Sequence, residues 1–486
     1  MTAAEADRTL RPSVPVKLGY GLGAVCDAGF TAIAGFLFFY YTAVLGLSGS
    51  LVGAALFIGL CADAAVDPFI GSWSDNLKSK LGRRVPLMLV AIPLFALAVT
   101  LLFAPPRGLS QPLLFAWLAV TMVAARSFLS LFHVPYIALG AEMAEGYAER
   151  SSVVAYRAVM GIVVGVAVTA LAFSVYFARE GGLQNAASYP GFGWSAAIGM
   201  AAGMVACCLG IRAYAARLPQ AAPVATPLIR RIPGEVVEVF RNRSFRILFF
   251  SAVVFYAAIG LNATLASHAS VFVWKLETQM MQVPAYAYLA GVLAGVAVAP
   301  RLTRRFEKKV VVLAGLTLVV VFWSLLPLLR ATGVVTATGG EAMVLLAGKL
   351  LLVGIGAGFC AIAYPSMMAD AADEHEHLFG RRREGLYFSG LGFAAKGASG
   401  LGVLLGGFAL DLVRFPKDAG QQTTEAIPEA VQAGLMIAWG PAAGVIGIVA
   451  MVMFASYGID RRRHDEISAA LHRKRALGGA TAASAQ

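Results

Sequence analysis

Charge is scarce in this sequence. Asp, Glu, Lys and Arg make up 14% of 486 residues, apolar types make up 59%, and the mean hydropathy is +0.74. So few charges cannot cover a globular surface, which excludes a water-soluble domain. Cysteine is nearly as rare. Cys26, Cys61, Cys207, Cys208 and Cys360 all lie in apolar segments without metal-ligand spacing, so they form neither a disulfide framework nor a zinc site and read as small packing residues. Acids are outnumbered, 27 against 39 bases, giving a net charge of +12. The bases come in short clusters between long apolar runs, as in a chain threaded through a bilayer, and nucleic acid is excluded as a partner. No hydroxyl or thiol is paired with a base as a nucleophile, so no catalytic residue is assigned and an enzyme is not expected. The polar start, MTAAEADRTLRPSVPVK, lacks a convincing signal-peptide cleavage site, and the first apolar run is expected to remain as a span.

Apolar runs of about 20 residues mark membrane spans. They fall near 18–46, 51–73, 86–104, 111–138, 157–178, 193–216, 245–273, 284–300, 309–329, 342–365, 385–413 and 431–457, twelve in all. The expected fold is an all-α polytopic membrane protein. Basic residues alternate between the two sides. Arg8, Arg11 and Lys17 precede the first span, Lys78, Lys80, Arg83 and Arg84 follow the second, and Arg230, Arg231, Arg241 and Arg243 follow the sixth. Arg301 to Lys309 follow the eighth, Arg381 to Arg383 the tenth and Arg461 to Arg463 the last. The alternate loops are poor in Lys and Arg, which places both termini in the cytoplasm. The longest connection holds Pro219, Pro223, Pro227 and Pro233. It divides the chain into a six-helix half at 1–217, a central loop at 218–244, a second six-helix half at 245–457 and a tail at 458–486. A faint repeat supports the halves: VPYIALGAEMAEGYAERSSVVAYR after the fourth span and AYPSMMADAADEHEHLFGRRREGLYF after the tenth both run from a proline through acids to bases.

The most informative stretch is CADAAVDPFIGSWSDNLKSKLGRR, from Cys61 to Arg84. Asp63 and Asp67, four residues apart, project from one helix face. A carboxylate in hydrocarbon costs a few kcal/mol, and two stacked carboxylates repel unless a cation or proton lies between them. The pair therefore reads as a cation or proton site. The competing reading has Asp67 bonding backbone loosened by Pro68 and Asp63 paired with a distant base. The segment is expected to break at Gly71 and end in a basic loop.

Together, YGLGAVCDAGF, FFYYTAVLGLS, ADAAVDPFIGSWSD, KLGRRVP, FHVPYIALGAE and MADAADEHEHLFGRRREGLYF resemble the glycoside-pentoside-hexuronide:cation symporters of the melibiose-carrier type, over nearly the whole chain. The resemblance implies the major facilitator fold, two parallel repeats around a central site. It implies a coupling-cation site at Asp63 and Asp67, assisted by the Ser130 hydroxyl, and a solute site at Asp27, His133, Arg157 and Lys396. It also implies a gate at Asp75, Arg83 and Arg84, where the loop after the second span meets neighbouring helix ends. Arg126, like Arg157 and Lys396, is a base hard to place at an interface, and opposed to Asp27, Asp63 and Asp67 the three could balance the charge of a central cavity, although Arg126 does not match a basic position of the melibiose type. Lys349, nearer the outer end of its span, is expected to snorkel.

Three departures qualify the resemblance. Val66 stands where the melibiose type has an Asn, removing an oxygen that sodium would use and favouring a proton, H+ rather than Na+, as the coupling ion. Ile137 and Ala361 stand at the positions of sugar-platform tryptophans, leaving Phe132, Tyr136, Tyr256 or Tyr364 as substitutes. FHVPY also resembles the lysolipid-carrying branch. Asp370, Asp373, His375 and His377 crowd what reads as a flexible gating loop, and no metal or other cofactor is expected there. The glycines of 390–402 read as close helix packing rather than a phosphate loop.

The reading is a cation-coupled symporter of a small polar solute, most simply a sugar or glycoside, in a bacterial inner membrane. A lysolipid or other amphipathic solute is the alternative, and a non-transporting receptor or enzyme is the alternative from another class.

Overall fold

In a computed structural model the described residues are 12–77, 79–143, 147–217, 234, 236–381, 383–417, 419–420 and 427–483. Arg8, Arg11, Lys78, Arg230, Arg231, Arg382 and the four prolines of the central loop lie outside them. Twelve helices among the described residues are long and apolar enough to cross a membrane. They are α1 (Val14–Val44), α2 (Gly49–Asn76), α3 (Val85–Phe103), α4 (Gln111–Glu142), α5 (Glu149–Tyr176) and α6 (Ser188–Ala215), followed by α7 (Arg243–Val273), α8 (Thr278–Arg305), α9 (Lys308–Ala331), α10 (Gly339–Phe379), α11 (Glu384–Leu412) and α12 (Glu429–Ala455). A further helix, α13 (Arg461–Ala483), follows. Leu97, Val120, Val163, Leu293 and Val452 remain uncovered on these helices. In water such a surface would aggregate; in lipid it is the solvated face. The chain is an integral membrane protein.

Contacts divide the chain into two compact units. One comprises Met1–Ala225 with Glu277–Gln282 and Leu410–Ile427; the other comprises Thr226–Leu276, Val283–Ala409 and Pro428–Gln486. The first unit is packed by aromatics. Phe36 lies against Phe173, Phe177 and Phe192, and Tyr40 stacks on Tyr189 with ring centroids 4.0 Å apart. The second unit has a core of Phe245, Leu248, Val312, Met367, Tyr387 and Phe454. There, close approach depends on small residues: Gly291 and Gly295 of α8 face Gly354 and Gly358 of α10, and a Cβ at any of the four would strike the opposing backbone. With little hydrophobic gain between helices in lipid, such contact is what holds them together. In the 390–402 stretch, Gly402 of α11 likewise lies against Gly260 of α7.

Two boundaries differ from the sequence expectation. α2 does not break at Gly71 but continues to Asn76, with Pro68 inside it. α10 does not end before the acidic stretch. Its 41 residues run through Asp370, Asp373, His375 and His377 to Phe379, so the expected flexible loop is helix. Between Pro365 and Gly380 there is neither Gly nor Pro, and the left-handed φ of 73° at Gly380 closes the helix.

Lys349 also departs from expectation. It is buried, with its Nζ 3.6 Å from the Trp439 ring centroid and no hydrogen-bond partner among the described residues. Ten residues into α10, about 15 Å along the axis, it lies too deep to snorkel, and its face packs inward. Trp439 belongs to a π-helical turn, Ala438–Ala442, and its carbonyl accepts from Asn262 Nδ2 at 2.8 Å. A desolvated cation–π contact contributes about 2 kcal/mol. Trp439→Leu should therefore lower thermal stability, and Lys349→Met added to it should restore much of the loss. Equal stability of the single and double variants in a thermal melt would show that the ring contributes packing alone.

Candidate functional site

α1, α2 and α4 of the first unit bring charged side chains together. Arg126 and Ser130, one turn apart on α4, both face Asp63 of α2. Ser130 Oγ donates a short hydrogen bond to Asp63 Oδ1, and Arg126 Nη1 lies 4.0 Å from Asp63 Oδ2. Asp63 is only 3% exposed, deep enough that its charge needs these donors. The Arg126 guanidinium lies over the Phe30 ring at 4.9 Å, and Phe30 is one turn beyond Asp27 on α1. Arg126 interacts electrostatically with Asp63, then Asp27, then Asp67. Asp63 is thus the carboxylate in contact with the guanidinium, and Asp27 and Asp67 lie within its electrostatic reach. Arg126 stands opposite the acids that the sequence reading had it balance, and its spacing of four from Ser130 is consistent with that.

The remaining expected site residues are more dispersed. His133 is half-buried on the same face of α4, its ring 6.3 Å from that of Tyr136. Arg157 of α5 approaches the Tyr20 hydroxyl on α1. Lys396 belongs to the second unit and is exposed on α11. Two of the substitute aromatics are taken up by packing. Phe132 is buried, and Tyr136 stacks on Tyr20 at 4.5 Å while donating to the Tyr20 carbonyl at 3.0 Å.

The other two, Tyr256 and Tyr364, line a cavity of about 360 Å³ inside the second unit. Phe255, Tyr288, Leu316, Cys360, Ala361 and Leu391 complete most of its wall, which is largely apolar. Tyr364 is held in place: its hydroxyl lies 3.0 Å from Ser251 Oγ and donates to the Leu248 carbonyl.

At one end of the first unit, Asp75, Arg83 and Arg84 meet through a residue the sequence analysis did not single out. Glu142, the last residue of α4, accepts from Arg83 Nη2 at 2.6 Å and from Arg84 Nε at 3.0 Å, with a second, shorter contact to Arg84 Nη2. Arg84 Nη2 also lies 3.1 Å from Asp75 Oδ1. The ends of α2, α3 and α4 are thereby tied together. The second unit has a matching tie, Lys308 at the start of α9 to Asp370 of α10 at 2.7 Å, with His464 of α13 3.4 Å from the same carboxylate. Charge-pairing at the starts of α1 and α5 (Lys17–Glu149, 2.6 Å) likewise has a counterpart before α7 and α11 (Glu238–Arg383, 3.1 Å) with signs reversed. Asp370 is therefore an ion-pair residue, and no metal-holding cluster occurs among the described residues.

The sequence matches the model of the MFS/sugar transport protein family over residues 19–461. The chain belongs to that family. It is 24% identical to the isoprimeverose transporter of Lactiplantibacillus pentosus, over 79% of this chain and 77% of the relative. It is also 24% identical to the sodium-dependent lysophosphatidylcholine symporter 1 of Mus musculus, over 94% of this chain and 88% of the relative. Its fold resembles a bacterial homologue of the human lysosomal transporter Spinster, with a TM-score of 0.63 at 14% identity, covering 93% of this chain and 97% of the other. The glycoside-pentoside-hexuronide resemblance and the major facilitator fold are borne out.

Proposed function

We propose that the protein is a cation-coupled symporter of a sugar or glycoside, with H+ as the coupling ion and Asp67 as the group that carries it. The observation that supports this reading most is the way Asp63 is held. Both of its oxygens face donors, the Ser130 hydroxyl and the Arg126 guanidinium, so a metal cation would have to compete with a resident positive charge. Val66 adds no oxygen, and sodium needs several. A proton needs only one carboxylate. Asp27, His133, Arg157 and Lys396 are proposed to bind the solute, with the cluster of Asp75, Arg83, Arg84 and Glu142 acting as a gate. The basic loops support a cytoplasmic position for that cluster and both termini, and the proposed setting is a bacterial inner membrane. Loading the acid cluster neutralises it, and the two halves then rock about the loaded site.

The test is uptake of isoprimeverose and a glycoside panel into proteoliposomes, under a pH gradient or a sodium gradient at matched membrane potential. Uptake should follow the pH gradient. Uptake driven by sodium with no response to pH would defeat the proton assignment. Lysophosphatidylcholine belongs in the panel, because a relative carries that name and the cavity in the second unit is largely apolar.

A further inference from the structure

Arg84 and Arg126 of the first unit both face carboxylates, and they are held in opposite ways. Arg84 uses Nε, Nη1 and Nη2 on Glu142, Ser74 and Asp75, the pattern of a structural tie. The Arg126 guanidinium lies 4.0 Å from Asp63, beyond hydrogen-bond distance, and its buried Nε has no hydrogen-bond partner among the described residues. It also lies over the Phe30 ring, a face that attracts positive charge without fixing its direction. An arginine kept for architecture would have its N–H groups matched by acceptors. What Arg126 supplies is charge. It is set against a buried carboxylate whose other oxygen is pinned by Ser130, and a buried carboxylate needs a counter-charge. The guanidinium therefore does at Asp63 what a bound metal cation would do, except that it is covalently attached and cannot dissociate.

We propose that Arg126 is the residue that sets ion specificity: it is a tethered cation standing in the place of a small monovalent metal ion, and it masks a latent sodium site. The oxygens of that site are the Asp63 carboxylate, the Ser130 hydroxyl and the Asp67 carboxylate one turn along α2. The masking is a property of the folded protein; its consequence for coupling rests on the proton-symport reading. One positive charge replaces one, so a monovalent ion is the counterpart. Shortening the side chain would leave hard oxygen donors, an uncompensated charge and room for an ion, which together suit sodium. Glutamine at the same position would add an oxygen at nearly the same reach, offsetting the one that Val66 does not provide.

The test is thermal unfolding of the full chain in nanodiscs, in sodium chloride or in choline chloride at equal ionic strength. In choline, Arg126→Ala should melt about 5 °C or more below the unaltered protein, because Asp63 loses its counter-charge. Sodium should recover about half of that loss or more, by binding the folded state. Arg126→Gln should respond in the same way and serves if the alanine variant fails to fold. The unaltered protein and Arg126→Lys, which keeps the charge, should not respond to sodium. In proteoliposomes, solute uptake by Arg126→Gln should follow a sodium gradient. Sodium stabilisation of the unaltered protein or of Arg126→Lys, equal recovery in choline, or no sodium response in either neutral variant would each overturn the masking. That last result would leave the proton-symport reading intact. Sodium-stabilised variants of a protein that takes up no solute under either gradient would remove the symport reading and leave the masked site standing.

Discussion

Asp67→Asn should abolish concentrative uptake of the solute while leaving the protein inserted and folded. The asparagine keeps the shape and hydrogen-bonding reach of the side chain but cannot take up a proton, so solute movement loses its drive. Downhill exchange should persist, and the accumulation ratio in proteoliposomes should fall to about one, since an uncoupled carrier only equilibrates. Asp63→Asn makes a contrasting case. Asp63 receives Ser130 and Arg126 in a buried position, and removing one partner of a buried pair costs about 3–5 kcal/mol because the other charge is left behind. That variant should lose thermal stability as well as uptake. Wild-type accumulation by Asp67→Asn would make Asp67 structural and move the coupling site elsewhere.

Replacing Arg83 and Arg84 together by Ala should release the end of the first unit. Both guanidiniums converge on one Glu142 oxygen, and Arg84 is largely buried. Charge-assisted hydrogen bonds contribute about 1.5–3 kcal/mol each, so losing both corresponds to a shift of at least about 100-fold in a two-state equilibrium. Cysteine probes placed near Asn76 should label faster from the side of the termini, and Glu142→Gln should produce the same change in smaller measure. Unchanged labelling in both variants would leave the arginines with a topological role only.

Most of the architecture was legible because a bilayer makes length and hydropathy decisive: apolar runs placed all twelve spans to within several residues at most ends. The polar extension of α10 was not legible by the same rule. Asp, Glu and His end a hydropathy plot without ending a helix, and only Gly380 supplies the stop. The acid pair of α2 could be read from spacing within one helix and Arg126 as a base to balance it, whereas Glu142 acquires meaning only from what faces it on another helix. Lys349 was misplaced for a related reason. Its depth follows from where α10 begins, and its lack of a polar partner follows from the Trp439 ring, neither of which hydropathy reports.

The length of α10 has a practical consequence for imaging. Forty-one residues at about 1.5 Å each make a rod of about 60 Å, twice the roughly 30 Å hydrocarbon thickness. Its final turns, from Asp370 to Phe379, are too polar to stay in lipid, so they stand proud of the headgroups on one side only. In an electron-microscopy map too coarse to show side chains, that protruding end, with α13 packed beside it, would serve as a built-in fiducial. It would tell one face of the particle from the other without an antibody fragment, and it would fix the numbering of the helix around which the remaining density must be traced.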